Sequence, residues 1–469
     1  MTEHPVYRAL LARLGEAAPQ PRLHPTRRAL ELLGSPHRAI PLIHITGTNG
    51  KTSTSRIAAA VLRAHGRRVG LFTSPHLVRF NERISIDGAP ITDEQLQTVW
   101  PEVQDALAAV DAELASTGDV PVTFFEALTV LGYTAFERTG MTAAVIEVGM
   151  GGLWDSTNVA DGRVAVFTPI SLDHTARLGL TVAEIATTKS GIIKPGATVV
   201  VAEQTEEAGH PLADRARRAG ADTLWLGRDF GFEVRGRREV GQTITAWGPF
   251  GVLDGLDVPL TGRHQAMNTT VALAAVDAFL AHEVSGPAAR STGSGSPSTA
   301  GFSPDQGSPP PTGFSAEAAR RGVAAATSPG RLERVGADPL VLVDAAHNPG
   351  GAAALAAALR DLPDASRFGV VLAVLADKDA RGIVEALAPV TARFFVTTSN
   401  SDRSRTPADL LAVVREVAPA HESSAYDDQA EALDAARGWA AGIPSAGVVV
   451  TGSITLIGEA AARAVVSQA

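Results

Sequence analysis

Short apolar runs punctuate this chain at residues 42–45, 69–72, 144–148, 164–168, 198–202, 340–343, 369–375, 394–397 and 447–451. Each has the length and content of a buried strand, and helical patterns separate many of them. Such alternation predicts an α/β chain built on parallel, doubly wound sheets. Several runs end directly in polar motifs, which puts those motifs where open α/β sheets bind ligands, at the carboxyl ends of the strands.

The pattern breaks at residues 285–315, where Gly, Ser and Pro fill 20 of 31 positions. This composition buries too little apolar area to offset chain entropy and predicts a disordered surface insertion. An Ala-rich helical pattern precedes it at 268–282 and another follows at 316–326. The expected division is a central domain over residues 1–328 and a C-terminal domain over 329–469, starting after the Pro329-Gly330 turn.

The first strand runs into Thr46-Gly47-Thr48-Asn49-Gly50-Lys51-Thr52, and an amphipathic helical pattern follows at 55–65. A glycine-rich turn between strand and helix, closing in Gly-Lys-Thr, is a phosphate cradle. Backbone N–H groups point at the anion, Lys51 supplies an ammonium, and the Thr52 hydroxyl reaches Mg²⁺. Ile45 stands where the strict Walker A pattern has its first glycine, so the loop is a shorter variant.

Other polar residues close strands in the same way. Glu147 ends the run AAVIE before a set of glycines and reads either as a Mg²⁺ ligand or as a charge at a strand mouth. Asp173-His174 follows VAVFTPISL, and a lone histidine there is more often a hydrogen-bonded structural residue than a ligand. Lys189, in TTKSGIIKPG, reads by itself as an ordinary surface lysine. Arg331 in Pro-Gly-Arg-Leu-Glu is a phosphate clamp or a linker charge. Asp344, at the end of another strand, suits a ribose hydroxyl pair. His347 and Asn348, opening a helix, suit a carboxylate or phosphate; the alternative is Asp344 and Asn348 as plain caps of an Ala-rich helix. Thr451-Gly452-Ser453 repeats this logic more weakly.

Composition narrows the classes. The 469 residues are 45% hydrophobic and 19% charged, enough for two or three domains with sizeable cores. The net charge of −9 argues against a general nucleic-acid binder. Cysteine is absent, which excludes disulfides and thiolate metal sites. No apolar run is long enough for a membrane span and the N-terminus is polar, so a cytoplasmic protein is expected.

Taken together, the motifs resemble the folylpolyglutamate synthase family, including its bifunctional form with dihydrofolate synthase activity, within the Mur ligase superfamily. The resemblance runs from about residue 40 to the C-terminus apart from the insertion. It is carried in order by ITGTNGKTST (45–54), TSPHLVRFNERI (73–84), TFFEALT (123–129), EVGMGG (147–152), DSTN (155–158), SLDHT (171–175), KSGIIKPG (189–196), GRHQAMN (262–268), PGRLE (329–333), DAAHNPGG (344–351) and TGS (451–453). SPHL, the following ERI and TFFE favour the folate branch over the cell-wall branch.

The resemblance implies a Mur-ligase-like fold: a P-loop, ATP-binding, doubly wound N-terminal domain and a smaller Rossmann-like C-terminal domain. It implies an ATP-dependent amide ligase that adds L-glutamate to a folate, and to dihydropteroate, through an acyl phosphate. In that frame Gly47, Thr48, Asn49, Gly50, Lys51 and Thr52 hold the triphosphate, and Asn268, Arg331 and Asp344 contact ATP. Thr52, Ser74 and Glu147 ligate one Mg²⁺. Glu147, His174 and a carbamylated Lys189 ligate a second, CO₂ turning an ammonium into an anionic oxygen ligand. His347 and Ser453 place the glutamate, with Lys51, Lys189 and His347 as the catalytic set. The 74–83 loop with Ser74 and Arg83, Thr123, Phe124 and Phe125, and Asp155, Ser156 and Thr157 line the pterin pocket. Members of the family act as monomers on small molecules. Two positions depart from the family pattern: Leu153 replaces an arginine after the glycines, and Ala176 replaces an aspartate after Asp-His-Thr. Two rivals are a Mur-type ligase for another precursor and a non-catalytic nucleotide-sensing protein; intact Lys51, Glu147, His174 and Lys189 argue against the second.

Overall fold

The computed structural model describes residues 4–15, 20–238, 240–285, 313–362 and 365–467. Most of the predicted 285–315 insertion lies outside the described residues. The chain forms two compact units. One comprises Met1–Glu233, Thr245–Leu256 and Met267–Ala326; the other comprises Val234–Ile244, Asp257–Ala266 and Thr327–Ala469.

The first unit is built on eight strands: β1 (Leu42–Thr46), β2 (Val69–Phe72), β3 (Ile84–Ile86), β4 (Ala89–Pro90), β5 (Ala143–Glu147), β6 (Val164–Phe167), β7 (Thr198–Val201) and β8 (Asp222–Trp225). They lie in the order β4-β3-β2-β5-β1-β6-β7-β8. The central strands are parallel and fully buried, as apolar runs covered on both faces must be. β1 sits between β5 and β6, with Ile45 opposite both Glu147 and Val166. The chain leaves β1 toward β2 and returns through β5 to β6 on the other side. Such a reversal opens a crevice at the carboxyl edge.

One apolar cluster packs the helices Pro5–Leu11, His24–Leu32, Asp93–Thr117 and Phe124–Arg138 with Leu42, Phe72 and Ile146 of the sheet. Another joins Ala165, Phe167, Val199 and Val201 to the helices Val182–Lys189 and Glu206–Ala219. Beyond β2 the sheet turns antiparallel, through a hairpin whose Asp87-Gly88 turn has both residues at positive φ. Pro90 is confined to the edge strand, where no ladder donor is lost.

Three further strands, β9 (Gly231–Arg237), β10 (Gln242–Gly248) and β11 (Gly251–Val258), form a small sheet in the order β11-β10-β9. The second unit carries β12 (Glu333–Ala337), β13 (Leu340–Val343), β14 (Arg367–Leu372), β15 (Thr391–Val396), β16 (Glu422–Ala425) and β17 (Ala446–Thr451) in the order β12-β13-β17-β14-β15-β16. All its pairings are parallel except β12 with β13.

Several of the strands that the apolar runs do not predict are half-solvated or lie at edges, whereas β3 and β10 are interior, mostly buried strands whose polar residues break the apolar run. β8 and β16 are edge strands with exposed polar residues, and β9 and β11 alternate buried with exposed positions. Their alternation, not continuous hydrophobicity, is the relevant signal. Among the described residues no helix is long and apolar enough to cross a membrane.

Candidate functional site

The phosphate turn is built by backbone conformations that only glycine tolerates. Gly47 has φ +148°, and a Cβ there would lie 1.9 Å from Thr168 Oγ1. Gly50, at φ +89°, caps the helix Lys51–Ala64, and its Cβ would meet Asn268 Oδ1 at 2.6 Å. Lys51 and Thr52, read from the sequence as the end of the turn, are the first two helical residues. The turn is fastened to the segment after β6: Thr48 and Asn49 donate their backbone N–H groups to the Pro169 carbonyl at 2.9 and 3.3 Å. The Thr48 hydroxyl donates to the Ser171 carbonyl and accepts from the Ser171 N–H, both at 3.0 Å.

Two lysines meet on this turn. Lys51 Nζ donates to the Gly47 and Thr48 carbonyls at 3.2 and 3.1 Å, and Lys189 Nζ donates to the Gly47 carbonyl at 2.9 Å. The surface-lysine reading of Lys189 is overturned: it ends the helix Val182–Lys189 only 4% exposed. The reason is close packing, since Gly152 approaches until a Cβ there would stand 2.6 Å from the Lys189 carbonyl oxygen. Burial first, and the Lys51 charge second, push the Lys189 ammonium down to about 7, against the pull of Asp173 and Asp155.

Across the turn, the Thr52 hydroxyl donates to Glu147 Oε1 at 2.9 Å, and Glu147 is 1% exposed. β2 and β5 run parallel with Phe72 opposite Ile146, so Ser74 and Glu147 leave the sheet at the same edge. His174 caps the short helix Thr175–Leu178 in the left-handed region, φ 51°, with its N–H on Asp173 Oδ1 at 2.8 Å. Among the described residues no three His, Asp or Glu side chains gather into a self-contained metal site. The donor set here is hydroxyl plus carboxylate. That suits a hard cation that keeps water and phosphate oxygens in its shell, as Mg²⁺ does, rather than a caged metal.

The predicted pterin-loop residues divide into two groups. Arg83 is buried, donates from Nε to His76 Nδ1 at 2.8 Å, and lies over the Phe124 ring at 5.4 Å. Glu82 holds the loop by accepting the backbone N–H groups of Leu77, Val78 and Arg79. Tyr7 of the N-terminal helix, which no motif marks, stacks on Phe80 at 4.7 Å and meets Phe124 edge-on. Thr123 caps the helix Phe124–Arg138, and Phe125 blocks any side chain at Gly149, whose Cβ would lie 2.4 Å from its ring. In the second group Asp155, Ser156 and Thr157 are buried, with Thr157 fully so. Asp155 accepts from the Met150 N–H at 2.8 Å and from the Thr157 N–H and hydroxyl at 3.0 and 2.5 Å. Burial raises its carboxyl and these hydrogen bonds oppose the rise.

In the second unit Asp344 receives the Leu332 and Ala346 N–H groups at 2.8 and 2.9 Å, which forces Leu332 to φ 47° beside Arg331. His347 Nδ1 donates to the Ala345 carbonyl at 2.9 Å, and Asn348 caps the helix Pro349–Arg360 through Gly351. The Ala346 carbonyl accepts from Gly452 N–H at 2.9 Å and from the Thr451 hydroxyl at 3.2 Å. The loop bearing His347 is thereby tied to the one bearing Ser453 at the carboxyl ends of β13 and β17. His264 is the residue the sequence reading passes over: half-buried, its imidazole is pushed down by desolvation while Asp344 raises and Arg331 lowers it. Its signal was present in GRHQAMN, of which only Asn268 was taken.

Comparison with known proteins places this arrangement. Residues 92–276 match the Mur ligase middle domain and residues 330–454 the Mur ligase glutamate ligase domain. The dihydrofolate synthase/folylpolyglutamate synthase of Mycobacterium tuberculosis is 37% identical over 95% of this chain and 91% of its own. The folylpolyglutamate synthase of Lacticaseibacillus casei is 35% identical over 93% of this chain and 94% of its own. The solved structure of Mycobacterium tuberculosis folylpolyglutamate synthase complexed with ADP superposes with a TM-score of 0.87 at 36% identity, covering 98% of this chain and 97% of that one. With both Mur ligase domains in sequence and relatives of this identity matched nearly end to end, the chain belongs to the folylpolyglutamate synthase/dihydrofolate synthase family of the Mur ligase superfamily.

Proposed function

We propose that this chain is an ATP-dependent carboxylate–amine ligase that adds L-glutamate to a reduced folate, and to dihydropteroate, through an acyl phosphate. The observation that carries the reading is the phosphate turn, with Thr52 on Glu147 and with Lys189 buried against the Gly47 carbonyl. Its support in relatives is the ADP complex of the Mycobacterium tuberculosis enzyme and the shared names of the curated proteins.

A carboxylate is a poor electrophile, so the substrate carboxylate first takes the γ-phosphoryl group. The glutamate amine then attacks that carbonyl and phosphate leaves. The chain's part is positioning and charge neutralisation. Within residues 47–52, whose Thr48 and Asn49 N–H groups fasten the turn to Pro169, the N–H groups of Gly50, Lys51 and Thr52 at the helix start and the Lys51 ammonium receive the phosphates once Lys51 leaves the Gly47 and Thr48 carbonyls. Asn268, Arg331 and Asp344 complete the nucleotide contacts. Thr52, Ser74 and Glu147 would hold one Mg²⁺, and Glu147, His174 and a carbamylated Lys189 would hold a second. Bound there, the cations supply charge neutralisation of the transferring phosphoryl group.

A lysine buried with its ammonium at about 7 has a large neutral fraction, which is the form that adds CO₂. Addition of CO₂ to the neutral amine releases one proton, and the carbamate would keep one N–H for the Gly47 carbonyl and carry a single negative charge shared by two oxygens. The 74–83 loop and residues 123–125 and 155–157 receive the pterin. His347 and Ser453, within a glutamate-ligase domain over residues 329–469, receive glutamate. We assign the protein to the cytoplasm as a monomer.

The test is incubation with ATP, Mg²⁺, L-glutamate and either dihydropteroate or tetrahydrofolate, with phosphate release and product mass as readouts. A gain of one glutamyl residue by either substrate is expected. Absence of phosphate release with both sinks the reading.

A further inference from the structure

His44 lies in the middle of β1, fully buried between Ile43 and Ile45, with Ile146 opposite on β5 and Ala165 on β6. A polar ring in the central strand of a parallel sheet is costly unless it is hydrogen-bonded. Its Nε2 lies 2.9 Å from Thr157 Oγ1. Thr157 Oγ1 lies in turn 2.5 Å from Asp155 Oδ1.

The direction of this chain of bonds is fixed by its end. Asp155 already accepts a backbone N–H on each carboxyl oxygen, from Met150 on Oδ2 and from Thr157 on Oδ1, and Oδ1 is also the acceptor nearest the Thr157 hydroxyl. The single Thr157 hydroxyl hydrogen therefore goes to Asp155, and Thr157 oxygen accepts from His44 Nε2–H. The opposite ring nitrogen, Nδ1, is buried with no hydrogen-bond partner, which fits a neutral ring protonated on Nε2 alone. Desolvation pushes the imidazole down to about 3, so the ring keeps this single tautomer across the physiological range. Two residues along the same strand face, Thr46 donates its hydroxyl to the Gly151 carbonyl at 2.8 Å. One face of β1 thus grips the 150–158 loop at two points.

We infer that His44 is a positioning residue for the folate site, aligning Thr157 so that the Asp155 carboxyl keeps its remaining acceptor direction toward an N–H donor of the pterin ring. This rests on the assignment of residues 155–157 to the pterin pocket. Asp155 receives three hydrogen bonds of the roughly four a carboxylate accepts, which leaves one lone-pair direction for a ligand. Without the His44 donor the Thr157 hydroxyl is free to rotate, and the carboxylate loses both orientation and part of what offsets its burial.

The experiment is steady-state kinetics on the full chain with His44→Leu, His44→Gln, Thr157→Val and Asp155→Asn. Breaking the hydrogen-bond chain, by one bond in His44→Leu and by two in Thr157→Val, should raise KM for dihydropteroate by about 5–20-fold, while KM for ATP moves by less than about 2-fold. His44→Gln, whose amide also donates, should recover most of the loss. The double variant should be no worse than Thr157→Val alone. Thr157→Val preserves volume and carries the test if His44→Leu does not fold. Equal changes in both KM values, or additive effects in the double variant, overturn the proposal. So does an unchanged dihydropteroate KM in His44→Leu alongside a raised one in Asp155→Asn. An unchanged KM in Asp155→Asn instead removes the pterin assignment of this loop, and the proposal with it.

Discussion

The side-chain nitrogens of Lys51 and Lys189 converge on one carbonyl oxygen, that of Gly47, at 3.2 and 2.9 Å. Two groups that are both cationic in water share a single acceptor, and Lys189 yields its proton more readily, first because it is buried and second because the Lys51 charge stands beside it. The first expectation concerns that proton. Below about pH 7 the ammonium form of Lys189 dominates and cannot add CO₂, so ligase activity should fall as pH drops through 7. Stripping bicarbonate at pH 7.5 should mimic that loss, and adding it back should restore the rate. Lys189→Ala should lose at least about 10²-fold in kcat, with partial rescue by formate or acetate. Activity independent of bicarbonate would remove the carbamate from the site.

The same shift has a sign in stability. The folded-state value of Lys189, about 7, lies below the ordinary 10.5, so between these the folded chain binds fewer protons than the unfolded one. Stability from this group is therefore lowest below pH 7 and rises up to pH 10.5. In CO₂-free buffer the Tm of the native chain, measured relative to Lys189→Met, should climb from pH 7 to pH 9. A constant difference over that interval would show that the lysine is not desolvated.

Much of this site was readable in the sequence. The strand ends at Thr46, Glu147, Phe167 and Val343 and the phosphate turn follow from apolar runs meeting glycines and polar residues. Residues whose importance comes from what folds over them were not readable. Lys189 becomes special only because Gly152 lets a distant loop press against its helix end, and nothing in TTKSG records that. His44 looks like an irregularity in an apolar strand until Thr157, far along the chain, supplies its partner. The half-solvated strands β9 and β11 escaped for a simpler reason, because their hydrophobicity is alternating rather than continuous.

Thr52 gives a test of the divalent cation. Its hydroxyl donates to Glu147 at 2.9 Å, so valine removes the donor while keeping the volume. A buried carboxylate deprived of a hydrogen bond costs about 1–3 kcal/mol. Thr52→Val should therefore lower Tm by a few degrees and raise the Mg²⁺ concentration for half-maximal phosphate release by roughly 10-fold. Thr52→Ser should stay close to the native value. Identical Mg²⁺ titrations for all three would exclude Thr52 as a ligand.

Gly152 should be intolerant of a single methyl group. The nearest atom to its Cβ position, at 2.6 Å, is the backbone oxygen of Lys189, which cannot rotate away as a side-chain tip can. Gly152→Ala should cost about 1–3 kcal/mol by overpacking and displace the Lys189 helix end. Gly438→Ala, in open space, supplies the control. The expected signature is a lowered Tm together with loss of the bicarbonate response, whereas the control keeps both.

Leu153 stands, at low structural cost, where the resemblance to the family implies an arginine. Its N–H donates to the Thr188 carbonyl at 2.9 Å, fixing the backbone beside Lys189, while its side chain is 55% exposed. The residue type at that position is thus open to change without disturbing the fold, and surface substitutions of this kind usually shift stability by less than about 0.5 kcal/mol. Restoring the family's arginine should leave Tm and the KM for ATP unaltered. If position 153 faces the folate, as the resemblance implies, a guanidinium there adds a cation, so the KM for substrates that already carry a glutamyl carboxylate should fall by about 2–5-fold, as for an exposed charge pair. The KM for dihydropteroate, which has no glutamyl tail, should not follow. A parallel fall in both would mean that position 153 acts on the common pteroyl part and not on the anionic tail.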